Sequence, residues 1–127
     1  MQTLLKQAFL FAFVLFVIDI AWLAGASKLH KQIVLSIQKS EMQVSKLPAF
    51  AFYLLAGMAY VIFIRKLAKN KKDALLYGAA MGAAMYFTFD FTNKAIFKDY
   101  TWKYAIMDGL WGTMAMGVAS YITYSLT

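Results

Sequence analysis

The feature that most restricts the fold of this chain is its division into four long apolar blocks, which short lysine-rich segments separate. A helix needs about 20 residues to cross a hydrocarbon core about 30 Å thick. The four blocks cover residues 7–26, 47–64, 74–93 and 104–126, and each reaches or approaches that length. They predict an all-α integral membrane protein in which residues 1–127 form a single four-helix transmembrane bundle.

The composition agrees with a membrane protein. Hydrophobic residues make up 62% of the chain and charged residues 15%, whereas about 25% of the residues in soluble domains are charged. The net charge of +7 comes from basic residues outside the apolar blocks, where lysines flank membrane spans and meet lipid headgroups. We therefore expect the lipid bilayer as a partner, and we do not expect nucleic acid.

Metal and thiol chemistry find little support in the sequence. The chain has no cysteine and a single histidine, His30, so disulfides are excluded and a structural zinc site is not expected. We predict no cofactor and no metal. Because lysines surround His30, we expect it to be exposed in a loop.

The first block has features of a signal peptide, with Lys6 before an apolar run and small residues at 24–26. Asp19 and Trp22 interrupt that run, so we predict a retained helix. The following segment carries apolar residues at helical spacing among lysines, which predicts a short helix in the membrane interface. A solvated loop is the alternative. The apolar positions of this segment are Leu29, Ile33, Val34 and Ile37.

Loop charge gives a weak indication of orientation. With both termini on one side, that side carries six basic residues and the other side seven. Five of the six lie within residues 65–73, and this density favours cytoplasmic termini in a multi-pass protein of the bacterial inner membrane. The near balance would also allow insertion in both directions and head-to-tail pairing, so a homo-oligomer is expected.

Three of the six acidic residues, Asp19, Asp90 and Asp108, fall inside the predicted spans. A charged aspartate near mid-membrane costs about 2.5 to 3.5 kcal/mol on insertion scales. Asp19 and Asp90 come late in the first and third spans and Asp108 early in the fourth, so antiparallel helices would bring them to one end. Burial and mutual repulsion predict that the three do not all stay ionised in an empty site. They would share protons, pair with Lys94 or hold a cation.

The surroundings of the aspartates repeat as "DIAW", "DFTN" and "DGLW". Residues three apart share a helix face, so each aspartate is expected to have an indole or amide partner, namely Trp22, Asn93 or Trp111. Tyr86 lies on the same helical stripe as Asp90. Small residues on these stripes predict close helix packing, as in the GxxxG pattern of "GAAMG". The packing residues are Gly78, Gly82 and Gly112.

The segments "DIAW", "FYLLAGMAY", "YFTFDFTNKAIFKDYTW" and "MDGLWGT" resemble the bacterial integral membrane proteins of domain of unknown function 2177. In that family the third-helix pattern is Tyr-Asp-Leu-Thr-Asn and the fourth is Asp-x-x-Trp-Gly-Thr. Phe89 and Phe91 replace the Tyr and Leu here. The resemblance implies a four-helix membrane fold and no particular activity. The residues that stay in register are Asp90, Thr92, Asn93, Asp108, Trp111, Gly112 and Thr113.

Three functions fit these residues. The site binds a proton, a cation or a small cationic or amphipathic molecule, with permeation or transport as its use. Alternatively, the chain is an enzyme acting on a lipid or isoprenoid, with Asp90 and Asp108 as acid and base and Asn93 positioning the substrate. In the third, it is an accessory subunit whose polar cluster only fixes helix packing. The predicted binding residues are Asp19, Trp22, Tyr86, Asp90, Asn93, Lys94, Asp108, Trp111 and Thr113.

Overall fold

The computed structural model describes residues 2–127, which contain five helices and no strand. We number the helices in chain order. They are α1 (Gln2–Gly25), α2 (Ser27–Gln38), α3 (Lys46–Leu67), α4 (Lys71–Ile96) and α5 (Trp102–Leu126). The fold is therefore all-α, as predicted.

The helices begin and end at the polar segments that separate the apolar blocks. Asn70 caps α4, since its side chain accepts a hydrogen bond from the backbone N–H of Asp73 over 2.9 Å. Thr101 caps α5 in the same way, accepting from the N–H of Tyr104 over 3.1 Å. Such caps satisfy backbone donors that the first turn of a helix leaves unpaired.

The tightest helix pair is α4 with α5, and glycines make it so. A Cβ added to Gly82 would collide with the carbonyl oxygen of Gly112, and one added to Gly112 would collide with the ring of Tyr86. A Cβ on Gly78 would meet the side chain of Ser120. Small residues thus let the two backbones approach closely, and the predicted packing glycines lie at this contact.

The apolar core lies where α1, α3 and α5 meet. Phe11 and Leu15 of α1 and Met116 of α5 are completely buried. Phe11 stacks on Tyr60 of α3 with 4.8 Å between ring centroids. Side chains packed in this way exclude water from the middle of the molecule.

Two helices are long and apolar enough to cross a membrane, Thr3–Gly25 and Lys46–Leu67. Their outer faces carry exposed phenylalanines, such as Phe13 and Phe50. The predicted spans over residues 74–93 and 104–126 lie within α4 and α5, which contain more small and polar residues. Their crossing of a membrane stays a prediction.

The short helix expected in the first loop is α2. It buries His30 and Ile33, and Ile33 belongs to a small apolar cluster with Tyr100 of the loop before α5 and Ala105 in the first turn of α5. Its position in a membrane interface stays a prediction. The prediction that His30 is exposed is wrong, because α2 folds back over the ends of α1 and α5 and takes the imidazole with it.

Candidate functional site

The centre of the site is a reciprocal exchange of hydrogen bonds between α1 and α5. Trp111 donates its indole N–H to Asp19 over 2.8 Å, and Trp22 donates to Asp108 over 3.1 Å. The two indoles stack with 5.3 Å between centroids and 12° between planes. Because α1 and α5 are antiparallel, the two Asp-x-x-Trp segments lie side by side in opposite directions. Each aspartate therefore takes the indole of the other helix.

Asp19 receives a second donor from α3. The hydroxyl of Tyr53 donates to its other carboxylate oxygen over 2.7 Å, so that three helices hold one side chain that is only 6% exposed. A buried carboxylate needs such donors, because the loss of its hydrogen bonds to water costs on the order of several kcal/mol when no protein group replaces them. Tyr53 was not predicted; its only signal is a phenol within an apolar block.

Asp90 is completely buried in α4, and its partner comes from the loop before α5. The hydroxyl of Tyr100 donates to one oxygen of Asp90. Burial, and then the hydrogen bond and charge of Asp90, raise the pKa of the Tyr100 phenol well above its usual range, so the phenol keeps its proton. The other oxygen of Asp90 has no hydrogen-bond partner within residues 2–127. The carboxyl group of Asp108 lies close enough to interact with that of Asp90.

The ion pair considered between Asp90 and Lys94 does not form in the part of the chain that the structure describes. Lys94 lies in the last turn of α4, and its ammonium nitrogen is 5.8 Å from the centroid of Trp102. Within residues 2–127 the ion pair that forms joins Lys39 to Asp99 over 3.6 Å. Lys94 therefore contacts an exposed aromatic ring and leaves the buried carboxylate to Tyr100.

His30 closes the site at the end covered by α2. One ring nitrogen lies 2.7 Å from the hydroxyl of Tyr104 and the other 3.2 Å from the carbonyl oxygen of Trp22. The imidazole also packs edge-on against the Trp22 indole at 5.0 Å. A signal for its burial was present in the sequence, since His30 has the same helical spacing as the apolar stripe of α2 at Ile33, Val34 and Ile37.

The remaining predicted residues lie at the edge of the site or outside it. The ring of Tyr86 covers Gly112, and its buried hydroxyl has no partner among residues 2–127. Asn93 lies beside the Tyr100 hydroxyl. Thr113 donates to the carbonyl of Gly109 in its own helix over 2.8 Å and contacts none of the carboxylates by a hydrogen bond.

A groove opens beside the site between α3, α4 and α5, with a volume of about 640 Å³. That volume lies within the range of about 300 to 1,000 Å³ found for small-molecule sites. Asp108 is the one acidic residue in a largely apolar lining. The lining consists of Phe52, Ala84, Met85, Tyr86, Thr88, Phe89 and Asp108. Within residues 2–127, no three acidic or histidine side chains gather closely enough to hold a metal ion.

The fold is all-helical, and two of its helices are long and apolar enough to cross a membrane. A family model described as "Predicted membrane protein (DUF2177)" matches residues 4–126. The chain therefore belongs to this family, and the resemblance identified from the sequence is confirmed. No curated protein and no solved structure matches the chain.

Proposed function

We propose that this chain is a single-domain, four-span membrane protein whose groove at Asp108 binds a small amphipathic molecule with a cationic end. In this arrangement α1, α3, α4 and α5 cross the bilayer as a bundle and α2 lies at one interface. The lengths of α4 and α5, 26 and 25 residues, support this arrangement, because about 20 helical residues suffice for a crossing.

The observation that carries the proposal is the chemistry of the groove. Its body is apolar and aromatic, and Asp108 supplies one carboxylate. A ligand with an apolar body and one cationic group matches that lining, because the body displaces apolar surface from water and the cation meets the carboxylate. The lining also contains the aromatic residues Phe52, Tyr86 and Phe89, and aromatic rings attract cations.

Binding is better supported than permeation. The apolar layer formed by Phe11, Leu15, Ala56 and Met116, each completely buried, lies between the carboxylates and the opposite end of the molecule. An ion that enters such a layer loses its hydration, and for an isolated charge this costs on the order of tens of kcal/mol. Transport of the bound molecule or of a proton would require these side chains to move apart.

The crosswise hydrogen bonds favour a second candidate function, a purely structural one. The Trp22–Asp108 and Trp111–Asp19 pairs join α1 to α5 through contacts within the chain alone. In that case the aspartates fix helix register and bind nothing. An acid–base enzyme with Asp90 and Asp108 has less support, since Asp90 is buried and absent from the groove lining.

The cellular setting is also part of the proposal. The dense basic segment at residues 65–73 favours cytoplasmic termini in the bacterial inner membrane. The near balance of loop charge supports a homo-oligomer, with head-to-tail pairing as one form. This point is tested by cross-linking in native membranes and, separately, by dilution of the untreated protein in mild detergent. Dimers or larger species in both experiments support a homo-oligomer, and monomers alone contradict it.

The binding proposal is tested with tetraphenylphosphonium, a lipophilic cation, added to the protein purified in a non-ionic detergent. The dissociation constant is measured for wild type, for Asp108→Asn and for the control Asp99→Asn, whose carboxylate lies on the surface beside Lys39. We expect Asp108→Asn to weaken binding about tenfold, which corresponds to about 1.4 kcal/mol. The control should match wild type.

A groove-filling variant separates binding from stability. Ala84→Phe keeps Asp108 but narrows the groove, because Ala84 is part of its lining. We expect it to lose tetraphenylphosphonium binding while the unfolding temperature stays near that of wild type. Equal binding by all variants, or no saturable binding by wild type, would overturn the proposal and leave the structural role.

A further inference from the structure

A second groove, separate from the one at Asp108, runs between α1 and α3 with a volume of about 510 Å³. Three phenylalanines of α1, Phe9, Phe13 and Phe16, form one wall. Ala49 and Leu54 of α3 belong to the other wall. The two walls are the two helices apolar and long enough to cross a membrane, so in a bilayer the groove faces the hydrocarbon chains of lipids.

One end of this groove carries a positive charge. Lys46 is the first residue of α3, it lines the groove, and its side chain is exposed. It forms no ion pair with the residues that the structure describes, where the ion pair present joins Lys39 and Asp99. An unpaired ammonium group at the end of a span lies at headgroup depth, where it meets anionic phosphates.

We propose that this groove binds one molecule of an anionic phospholipid, with an acyl chain against the phenylalanines and the phosphate on Lys46. The proposal rests on the membrane crossing of α1 and α3 and is independent of ligand binding at Asp108. A phospholipid matches both parts of this groove, because its acyl chain fits the apolar walls and its phosphate pairs with Lys46. A helix of a partner protein would fill the apolar part but has no phosphate for Lys46.

The lipid would contact the side chain that holds Asp19. Tyr53 lines the groove with its ring and donates its hydroxyl to Asp19 over 2.7 Å. Phe16, on the opposite wall, packs edge-on against Tyr53 at 5.4 Å. An acyl chain in the groove therefore packs against the Phe16–Tyr53 pair and restrains the phenol that satisfies the buried carboxylate.

The test compares phosphatidylglycerol with phosphatidylcholine of identical acyl chains, added to the delipidated full-length protein in detergent. Native mass spectrometry counts the bound lipid, and thermal unfolding measures stabilisation. We expect Lys46→Gln to weaken phosphatidylglycerol binding about fivefold, the effect of one lysine near an anionic headgroup. Phosphatidylcholine binding should not change. Lys28→Gln, which removes an exposed lysine outside the groove, is the matched control and should behave as wild type.

A second variant tests the apolar part of the site. Ala49→Phe fills the groove from the α3 wall, so we expect it to bind both lipids less well. Equal affinity of wild type for the two lipids, or the same loss in Lys28→Gln as in Lys46→Gln, would overturn the proposal. A dimer that forms as protein concentration rises and is abolished by Ala49→Phe would show that a second copy occupies the groove, and would overturn it as well.

Discussion

Trp111 of α5 donates its indole N–H to Asp19 of α1 over 2.8 Å, across 92 positions of sequence. The reverse pair, Trp22 with Asp108, is longer at 3.1 Å. Each pair joins the same two helices, and the stacked indoles fill the space between them. This exchange gives the contact between α1 and α5 both its register and its polar specificity.

Trp111→Phe removes the donor to Asp19 but keeps an aromatic ring against Trp22. We expect a loss of about 1 to 3 kcal/mol in the free energy of unfolding, because a buried carboxylate loses a hydrogen bond. Denaturation by SDS in mixed micelles measures it. Trp102→Phe is the control, since Trp102 is 64% exposed and should change little. Equal losses in the two variants would contradict the role of the Trp111–Asp19 bond.

Gly112→Ala tests the close approach of α4 and α5. Its Cβ would overlap the Tyr86 ring, so we expect a loss of about 1 to 3 kcal/mol, the usual cost of overpacking. Gly25→Ala is the matched control, because a Cβ there has nothing within 4 Å. Thermal unfolding in detergent compares the two variants. A Gly112→Ala protein as stable as wild type would show that Tyr86 can move aside without cost.

His30→Phe tests whether the imidazole holds α2 in place. The variant keeps a ring but loses the contacts to Tyr104 and the carbonyl of Trp22. We expect faster trypsin cleavage at Lys39, which follows α2, because local opening exposes the backbone. Leu35→Ala alters a side chain of α2 that is 50% exposed and should leave the cleavage rate unchanged. Equal rates in all three proteins would mean that α2 docks without His30.

We expect Tyr100 to make the free energy of unfolding depend on pH in the alkaline range. Its pKa is higher in the folded than in the unfolded chain, owing to burial and to Asp90. The stability that the neutral phenol contributes is complete below its ordinary pKa of about 10 and is lost as pH rises above that value. Between about pH 9 and 11 wild type should therefore lose more stability than Tyr100→Phe. Parallel unfolding curves for the two proteins would contradict this.

The crossing of α3 and α4 is tested by cysteine labelling, because the natural chain has no cysteine. Single cysteines at Ser40, Asn70 and Lys98 report on three successive connections. We expect an impermeant maleimide to label Ser40→Cys and Lys98→Cys from outside the inner membrane and Asn70→Cys only after the membrane is opened. Labelling of Asn70→Cys and Lys98→Cys from the same side would exclude a crossing by α4.

The sequence by itself determined the helical class, the helix positions to within a few residues and the family. Those properties depend on local information: block length, polar breaks and the identity of residues in short motifs. The same is true of the aspartates, since a carboxylate in an apolar block stands out without a structure. Antiparallel connection of the blocks then brings Asp19, Asp90 and Asp108 to one end.

Only the tertiary structure decided which donors satisfy those carboxylates. Helical spacing pairs Asp19 with Trp22, but α1 and α5 lie antiparallel and the pairing crosses to Trp111. Tyr53 and Tyr100 reach their partners from another helix and from a loop, and spacing along one helix carries no information on such contacts. His30 became buried because α2 folds back over the site. Hydrogen bonds between elements depend on how helices pack, and that packing is a property of the whole chain.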